Sequence, residues 1–489
     1  MQEMPISHTS EITTMDEINT VISYCINDVK STLEVYRRSK SLLEVRMLVK
    51  EKYALNCYSY SNTKMGSELL LKLYCDKTGY NKYDIKKSKT SRDNGINVGE
   101  ILFPYIQFKS MDFTGFHEML KKKVIINTKG DFKYSVKFMG YKFDYGTGGI
   151  HQCIKSGIYT EDNDYVIKDL DVAGLYPSIA CANGMYPAHL GKEFFQVYKS
   201  DIVDVRLDEK AKGKEGNKAI IEGYKEAANA SYGNSNNKFS WLFDPQYTMQ
   251  TTINGQLMLT MLAEELLLSL SDCQLLQINT DGMTFRLKKT DLDKYNEICK
   301  NWEIITKLKL EFADYSSMFI RDVNNYIAVY TNGKYKCKGA FEFENLPLYK
   351  NKSFLIIPKA VFNFFVNNIT PENYLASNRN IFDYCGGVKA TGDWKFQETS
   401  IVDREIKVRT LSKIVRYYVT NSGGKIVKHN SVDGRDIQIE AGSWLQQEFN
   451  QYVDKPWEEY NINEDYYLEK IYQEIASISP PITSQLTLF

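Results

Sequence analysis

The segment YVIKDLDVAGLYPS, residues 165–178, combines a strand pattern with two carboxylates and a tight turn. Apolar residues alternate with polar ones up to Val172, which predicts a half-buried strand. Asp169 and Asp171 are two positions apart, so on a strand their side chains lie on the same face. Gly174 then permits a sharp turn. Taken alone, this segment is equally compatible with an ordinary aspartate at the end of a strand.

A second candidate aspartate, Asp281, lies in the segment LLQINTDGMTFRL, residues 275–287. Two strand patterns flank an Asp-Gly pair, which predicts a hairpin with Asp281-Gly282 at its turn. Phosphoryl transfer by two metal ions needs carboxylates brought together from separate segments. Asp171 and Asp281 are therefore candidates for such a site, although a turn-forming aspartate is the plain alternative for Asp281.

A helical segment, KEAANASYG at residues 225–233, separates the two aspartates along the chain. Lys225, Asn229 and Tyr232 follow one another at spacings of four and three, so they lie on one face of a helix. That face presents a cation, an amide and an aromatic ring. An ordinary amphipathic helix is the alternative when this segment is considered alone.

Together, DVAGLYPS, KEAANASYG and NTDG, in this order, resemble the three polymerase motifs of family B DNA polymerases. The resemblance implies an α+β, right-hand polymerase with an antiparallel-sheet palm, helical fingers and a mixed thumb. It also implies template-directed DNA synthesis from deoxynucleoside triphosphates on primer–template DNA. A bacteriophage enzyme, acting in the cytoplasm of an infected bacterial cell, is the expected source.

The sequence departs from the family pattern at the first and third motifs. Gly174 stands where the family usually has serine, and the usual Asp-Thr-Asp-Ser appears as Asn279-Thr280-Asp281-Gly282. Since the aspartate that binds metal in the family is retained as Asp281, we expect activity. Asn279 is the main support for the alternative, a non-catalytic replication subunit that binds DNA and clamp. An RNA-making or template-independent polymerase is a further alternative.

The resemblance implies a role for each matching residue. Asp171 and Asp281 would bridge two Mg²⁺ ions, or Mn²⁺ in their place, with the Val172 carbonyl completing one ion. Tyr176 would exclude a ribose 2′-hydroxyl, and Lys225 would neutralise the departing phosphates. The implied nucleotide-binding residues are Gly174, Leu175, Tyr176, Lys225, Asn229, Tyr232 and Lys214. The second fingers cation is left open among Arg206, Lys210, Lys214 and Lys218.

Two further segments resemble DNA-binding elements of the family. YGTGG at 145–149 is similar to the glycine turn that contacts the template strand. Tyr326 with the lysines of KCKG resembles the duplex-binding element, although Asn324-Asn325 replaces its usual basic pair, and solvent-exposed lysines are the alternative. The implied DNA-contacting residues are Tyr145, Gly148, Gly149, Tyr326, Lys336 and Lys338.

The two ends of the chain resemble partner-related motifs. Tyr24 and Asp28 are similar to the third motif of the RNase H-like 3′–5′ exonuclease domain, whose first two motifs would precede it. We therefore expect no exonuclease activity from this chain alone, with a separate exonuclease-bearing polypeptide or a lost activity as the explanations. The tail resembles the pentapeptide that binds the bacterial sliding clamp, through Gln485, Leu486, Leu488 and Phe489.

The amino-acid composition mainly excludes certain kinds of site and segment. The 489 residues are 43% hydrophobic, enough for several cores. Lys plus Arg equals Asp plus Glu at 61 each, so net charge does not indicate nucleic acid. Scattered single cysteines indicate neither disulfides nor zinc, and no long apolar run predicts a membrane span or a secretory signal.

The motifs predict the following organisation. Residues 1–55 are the exonuclease remnant, 56–140 a connecting region, 141–190 and 251–345 the palm, 191–250 the fingers, and 346–489 the thumb with the clamp-binding tail.

Overall fold

The computed structural model describes residues 4, 6, 9–347, 349–402 and 405–479. The chain divides into two units. The first unit comprises Arg38–Ile154 and Tyr159–Ser317, and the second comprises Met1–Arg37, Lys155–Ile158 and Met318–Phe489. This division is coarser than the six segments predicted from the sequence, whose boundaries remain predictions.

Helices and antiparallel strands alternate along the chain. The helices are α1 (Met15–Arg38), α2 (Lys40–Tyr53), α3 (Asn62–Thr78), α4 (Lys82–Lys87), α5 (Val98–Ile101), α6 (Met111–Lys121), α7 (Leu175–Ala182), α8 (Gly191–Gln196), α9 (Val205–Ala211), α10 (Lys218–Gly233), α11 (Pro245–Ser269), α12 (Leu292–Thr306), α13 (Ile356–Asn367), α14 (Pro371–Ser377) and α15 (Glu464–Ile478). The strands are β1 (Ile96–Asn97), β2 (Val124–Ile125), β3 (Lys133–Phe138), β4 (Tyr141–Gly146), β5 (Gly149–Cys153), β6 (Gly157–Thr160), β7 (Tyr165–Val172), β8 (Cys273–Asn279), β9 (Gly282–Lys288), β10 (Leu310–Asp322), β11 (Asn325–Tyr330), β12 (Tyr335–Lys338), β13 (Cys385–Lys389), β14 (Trp394–Val402), β15 (Glu405–Leu411), β16 (Ile414–Thr420), β17 (Lys425–Asn430), β18 (Asp436–Gln438) and β19 (Leu445–Glu448).

An antiparallel sheet organises the first unit, in the order β10-β7-β9-β8-β5-β4-β3. The strand predicted to end at Val172 is confirmed as β7, which lies between β9 and β10. The predicted hairpin is also confirmed, but its turn is Thr280-Asp281 rather than Asp281-Gly282. Gly282 is the first residue of β9, because the ladder closes with Asn279 opposite Gly282.

Helix α11 forms the centre of the first unit's core. Asp244 caps its N-terminus by accepting a hydrogen bond from the Gln246 amide, and Pro245 occupies the first turn, where its missing N–H is harmless. Most side chains of α11 are buried. The break predicted near Gly233 is confirmed, since α10 ends there. Helix α10 packs against α2 and α3, so residues before the sheet support the motif-bearing helix.

In the second unit, one core joins α13 and α15 to the three-stranded sheet β13-β16-β19. A four-stranded sheet, in the order β15-β14-β17-β18, accompanies it. The sequence pattern over residues 334–343 predicts a single strand, but β12 ends at Lys338 and a 3₁₀ turn follows at Gly339–Phe341. Gly339 has φ +63° and packs against Asn325, so the chain turns there instead of extending.

The apolar spacing over residues 15–55 predicts one long helix or two abutting ones, and the structure has two, α1 and α2. Helix α1 has no buried residue, and one face carries a solvent-exposed apolar stripe. The stripe consists of Met15, Ile18, Ile22, Ile26, Val29, Leu33 and Tyr36. Within the described residues, no helix is both long and apolar enough to span a membrane.

Candidate active site

The fold brings Asp171 and Asp281 side by side. Asp171 lies opposite Gly282 in the β7–β9 ladder, and the Val172 amide donates a hydrogen bond of 2.8 Å to the Asp281 carbonyl oxygen. A Cβ at Gly282 would collide with the Asp171 carboxylate. Glycine at this position therefore leaves space for the Asp171 side chain, which gives a physical reason for the departure from the family's serine.

Asp169 belongs to the scaffold of the site. Its carboxylate is buried and accepts hydrogen bonds of 2.6 Å from the Thr284 hydroxyl and 2.6 Å from the Tyr315 hydroxyl. Both donors are on neighbouring strands. Because hydrogen bonds to a carboxylate are strong, these contacts fix β7 between β9 and β10. The two aspartates that share a predicted face thus have different environments.

The two carboxylates of Asp171 and Asp281 suit a metal ion whose remaining ligands come from the substrate and water. Among the described residues, no group of three or more His, Cys, Asp or Glu side chains is placed to hold a metal ion. Mg²⁺ in nucleotide-dependent enzymes is commonly bound through one or two carboxylates together with substrate phosphates and water. Asp171 and Asp281 fit that donor set, with the backbone of Val172 between them.

Tyr176 and Tyr232 join α7 to α10 by stacking. Their ring centroids are 3.7 Å apart with an interplanar angle of 16°. The Tyr232 hydroxyl is 2.9 Å from the Thr252 hydroxyl on α11. Burial, reinforced by Tyr232 and the negative charge of Asp281, raises the pKa of Tyr176. The stack therefore links α7, the helix that follows Asp171, to the face of α10 that carries Lys225.

The predicted polar face of α10 is confirmed. Lys225 and Asn229 are exposed, and Tyr232 is half-buried on the same face. Within the described residues, Lys225 Nζ forms an ion pair with Glu222 at 3.9 Å, and both side chains are about half exposed. Such a pair contributes little free energy. An anionic ligand can therefore replace Glu222 at modest cost.

The structure distinguishes the four candidate fingers cations. Arg206 Nη1 lies 4.0 Å from the Cβ position of Gly174, at the start of α7. Arg206 Nε is buried without a hydrogen-bond partner in the described part of the chain. Lys210 pairs with Glu311, whereas Lys214 and Lys218 are exposed. Arg206, rather than the predicted Lys214, is the cation placed beside the first motif.

Gly174 itself has φ +56°, in the left-handed region that glycine adopts without strain. This conformation accounts for glycine in place of the family's usual serine. The next residue, Leu175, has its side chain in the core, where it packs near Gly255 of α11. Leu175 can therefore meet a nucleotide only through its backbone, and nucleotide binding at this position remains a prediction.

Glu311 is a residue of the site that the sequence patterns did not indicate. It lies directly opposite Asp171 in the β7–β10 ladder and forms an ion pair with Lys210 of α9. No local motif surrounds Glu311. The pairing register of the long strand β10 places it here, and that register is set by contacts distant in sequence.

The glycine turn at 145–149 packs against the β8–β9 hairpin. Tyr145 is 2% exposed, and its hydroxyl is 2.9 Å from the Thr260 hydroxyl. The Tyr145 ring fills the core against Phe116, so its side chain is not exposed to DNA, and contact of this turn with DNA through its backbone remains a prediction. Gly148 is exposed, whereas Gly149 is buried.

Gly149 is required by the close approach of Thr280. Gly149 has φ +129°, and a Cβ there would lie 2.9 Å from Thr280 Oγ1 and 3.1 Å from its Cα. Thr280 has φ +65°, which is strained for a β-branched residue. A hydrogen bond of 3.0 Å from the Thr280 amide to the Ile150 carbonyl holds the turn. The glycine turn thus supports the loop that carries Asp281.

We expect Gly149→Ala to lower stability by about 1–3 kcal/mol, because overpacking a filled site costs that much. It should also reduce activity by displacing Thr280 and Asp281. Thermal melting and an activity assay measure the two effects. Gly148→Ala is the matched control, since no atom lies within 4 Å of its Cβ position. Equal behaviour of the two variants would contradict this role for Gly149.

The remaining predicted DNA-contacting residues lie in the second unit. Tyr326 is buried on β11, opposite Lys338 of β12. Lys336 Nζ is 6.0 Å from the Tyr326 ring centroid, and Lys338 is exposed. Contact of this hairpin with DNA remains a prediction. The Lys338 side chain is exposed and therefore accessible to DNA.

The structure describes the exonuclease-like motif but not the clamp-binding motif. Tyr24 and Asp28 lie one turn apart on α1, on a half-buried face turned away from the apolar stripe. Their exonuclease role remains a prediction. The predicted clamp-binding residues, Gln485, Leu486, Leu488 and Phe489, lie outside the described residues.

Comparison with known proteins gives similarity to solved structures. No family model matches the sequence, and no curated protein matches it. The chain is similar to the structure of the family B DNA polymerase from the hyperthermophilic archaeon Pyrobaculum calidifontis, with a TM-score of 0.47 and 13% sequence identity. The similarity covers 96% of this chain and 57% of the archaeal chain. This chain therefore spans a little over half the length of that polymerase.

Proposed function

We propose that the chain is the polymerising part of a family B DNA polymerase of bacteriophage type. One observation carries the proposal: three segments distant in sequence converge on one site. Asp171 and Asp281 lie side by side, and the Tyr176–Tyr232 stack joins them to the face that carries Lys225. In this proposal the palm, fingers and thumb follow the organisation predicted from the sequence.

Each residue has a defined task in the proposed reaction. The primer 3′-oxygen bonds to the α-phosphorus of the incoming nucleotide, the α–β phosphate bond breaks, and pyrophosphate leaves. Two bound Mg²⁺ or Mn²⁺ ions would supply charge stabilisation to the attacking and leaving oxygens. Asp171 and Asp281 hold the negative charge that binds these ions. Lys225 and Arg206 hydrogen-bond the triphosphate, which is favourable because charge-assisted bonds to phosphate are strong.

Primer extension by the purified full chain tests the proposal. The reaction contains Mg²⁺, primer–template DNA and either all four deoxynucleotides or only the one that pairs with the next template base. Extension by the pairing nucleotide alone indicates templated synthesis. Equal incorporation of every nucleotide, or on single-stranded primer, indicates a template-independent enzyme. DNA binding without extension supports the alternative of a non-catalytic replication subunit, in which Asn279 marks the lost activity.

Tyr176 provides a second test through sugar selection. Its ring is held by the stack on Tyr232, so it presents a fixed edge to the incoming sugar. We expect Tyr176→Ala to raise ribonucleotide incorporation relative to deoxynucleotide incorporation, because the 2′-hydroxyl then has space. Competition between matched ribo- and deoxynucleoside triphosphates measures the ratio. Tyr232→Phe keeps the stack and is expected to retain the wild-type ratio.

The proposed partners follow from the motifs at the two ends. We propose a separate exonuclease-bearing polypeptide that supplies carboxylates beside Tyr24 and Asp28, and a bacterial sliding clamp that binds the tail. The exposed apolar stripe of α1 is a surface that such a polypeptide would cover. Incubation of a mismatched primer with the chain alone is expected to leave the primer intact. The infected bacterial cell is the proposed location.

A further inference from the structure

An exposed aromatic ring lies immediately beyond the motif-bearing helix. Phe239, in the turn that follows α10, is 81% exposed. Lys238 Nζ lies 5.2 Å from its ring centroid. A phenylalanine so open to solvent loses the free energy that burial would provide. Aromatic rings presented beside lysines are typical of surfaces that stack the bases of single-stranded nucleic acid.

The turn that carries Phe239 is held in place by hydrogen bonds. The Phe239 amide donates to Asn237 Oδ1 at 3.0 Å, and the Ser240 amide donates to the Asn237 carbonyl at 2.8 Å. Lys89 Nζ donates to the Lys238 carbonyl at 2.6 Å. The ring is therefore presented by a preorganised backbone, so a ligand that stacks on it pays little ordering entropy.

A cavity of about 750 Å³ opens beside this ring. Its lining combines aromatic rings, amide side chains and lysines, which are the groups that stack bases, hydrogen-bond their edges and attract phosphates. The lining residues relevant here are Asn127, Lys129, Asn236, Asn237, Lys238 and Phe239. Arg92, also in the lining, is paired with Asp244 at 3.3 Å and helps to fix the loop.

A second groove, of about 540 Å³, runs beside the glycine turn. Lys129 lines both cavities, and Lys133 and Lys142 line the second. Gly149 at the other side of this groove contacts Thr280, next to Asp281. Within the first unit, the two grooves therefore form a path from Phe239 to the glycine turn that packs against Thr280. Lys129 and Lys133 lie along it, and Lys142 there is paired with Asp144 at 2.8 Å.

We propose that this path holds single-stranded template DNA, with an unpaired base stacked on Phe239. The inference rests on the proposed polymerase function, which requires a template strand at the candidate active site. Duplex DNA does not fit this chemistry, because bases stacked within a duplex do not present a free face to the exposed Phe239 ring. The lysines bind phosphates without regard to sequence, so the site is expected to accept any base.

The test measures binding of the full chain to labelled primer–templates by fluorescence anisotropy. One DNA has an unpaired template overhang of roughly ten nucleotides, within the range bound by known single-strand sites, and the other is blunt-ended. We expect Phe239→Ala to weaken binding of the overhang DNA about fivefold or more, and binding of the blunt DNA hardly at all. Phe239→Trp should retain the wild-type affinity, since it keeps an aromatic face.

Two controls separate stacking from other effects. Phe239→Leu keeps an apolar side chain without a ring and is expected to behave like Phe239→Ala. Met111→Ala removes another exposed apolar side chain, 92% exposed on α6, and should change neither affinity. An equal loss for both DNAs, or full binding by Phe239→Leu, would overturn the proposal.

Primer extension on the same DNAs distinguishes a failure of the template-path proposal from a failure of the proposed polymerase function. If the wild-type chain extends primers while Phe239→Ala leaves overhang binding unchanged, only the template path is wrong. The opposite result is that the wild-type chain does not extend primers, while Phe239→Ala binds the overhang DNA more weakly than wild type does. In that case the proposed polymerase function is wrong and the single-strand site is supported.

Discussion

Asp281→Asn is expected to abolish primer extension, with a loss of about 10³-fold or more, because a charged group that stabilises a transition state is typically worth that much. Asparagine preserves the size of the side chain but removes the negative charge beside Asp171. The hydrogen bond from Val172 uses the Asp281 backbone carbonyl, so the turn should survive the substitution. Single-turnover extension with saturating DNA measures the loss, and thermal melting verifies the fold.

Asp169→Asn is the informative contrast. The Asp169 carboxylate is buried and accepts bonds from Thr284 and Tyr315, so an amide there leaves one hydroxyl poorly paired. We expect a lower melting temperature, from a loss of about 1–3 kcal/mol, with extension retained well below the melting temperature. If Asp281→Asn kept full activity, or if Asp169→Asn lost activity while its fold stayed stable, the assignment of the two carboxylates would be reversed or wrong.

The parts of the site that the sequence predicted correctly are those with local signals. Alternating polarity identifies β7, and an Asp-Gly pair between two strand patterns identifies the β8–β9 hairpin. The spacing of Lys225, Asn229 and Tyr232 identifies one face of α10. Each of these depends on backbone periodicity within a few residues. The pairing of β7 with β9, which brings Asp171 beside Asp281, is not specified by these local patterns.

The parts that the sequence did not predict depend on contacts between distant residues. Asp169 and Asp171 look equivalent on a strand, and only Thr284 and Tyr315 distinguish them. Glu311 joins the site through the register of β10. Tyr145 belongs to a motif that resembles a DNA contact, yet its ring is buried beside α6 and α11. Such environments are set by which elements pack together, and local patterns do not specify that.

The choice of fingers cation is a further example, and it leads to the second large effect. The sequence offered Arg206, Lys210, Lys214 and Lys218 without a criterion, because all four lie in one stretch rich in charged residues. The burial of each side chain in the structure distinguishes the four candidates. Within the described residues, Arg206 Nε lies buried beside the first motif without a hydrogen-bond partner. Such a nitrogen lowers the stability of the fold unless a ligand accepts its hydrogen bond. The exposed Lys214 has no such requirement.

We therefore expect Arg206→Ala to lower kcat/KM for the incoming nucleotide by about 10²–10³-fold, the range found when one donor to a developing charge is removed. Lys214→Ala, the matched control on the exposed segment, should remain within a few-fold of wild type. Steady-state extension at varied nucleotide concentration measures both.

Arg206→Lys separates charge from geometry. Lysine keeps the positive charge but lacks the planar fork of donors, so it should recover only part of the lost kcat/KM. Because Arg206 is half-buried, its alkyl stem also packs, and the melting temperature of each variant must be compared with wild type. A large loss in Lys214→Ala with none in Arg206→Ala would show that the exposed lysine approaches the nucleotide only when substrate is bound. In that case burial in the unliganded chain would be the wrong criterion for choosing the cation.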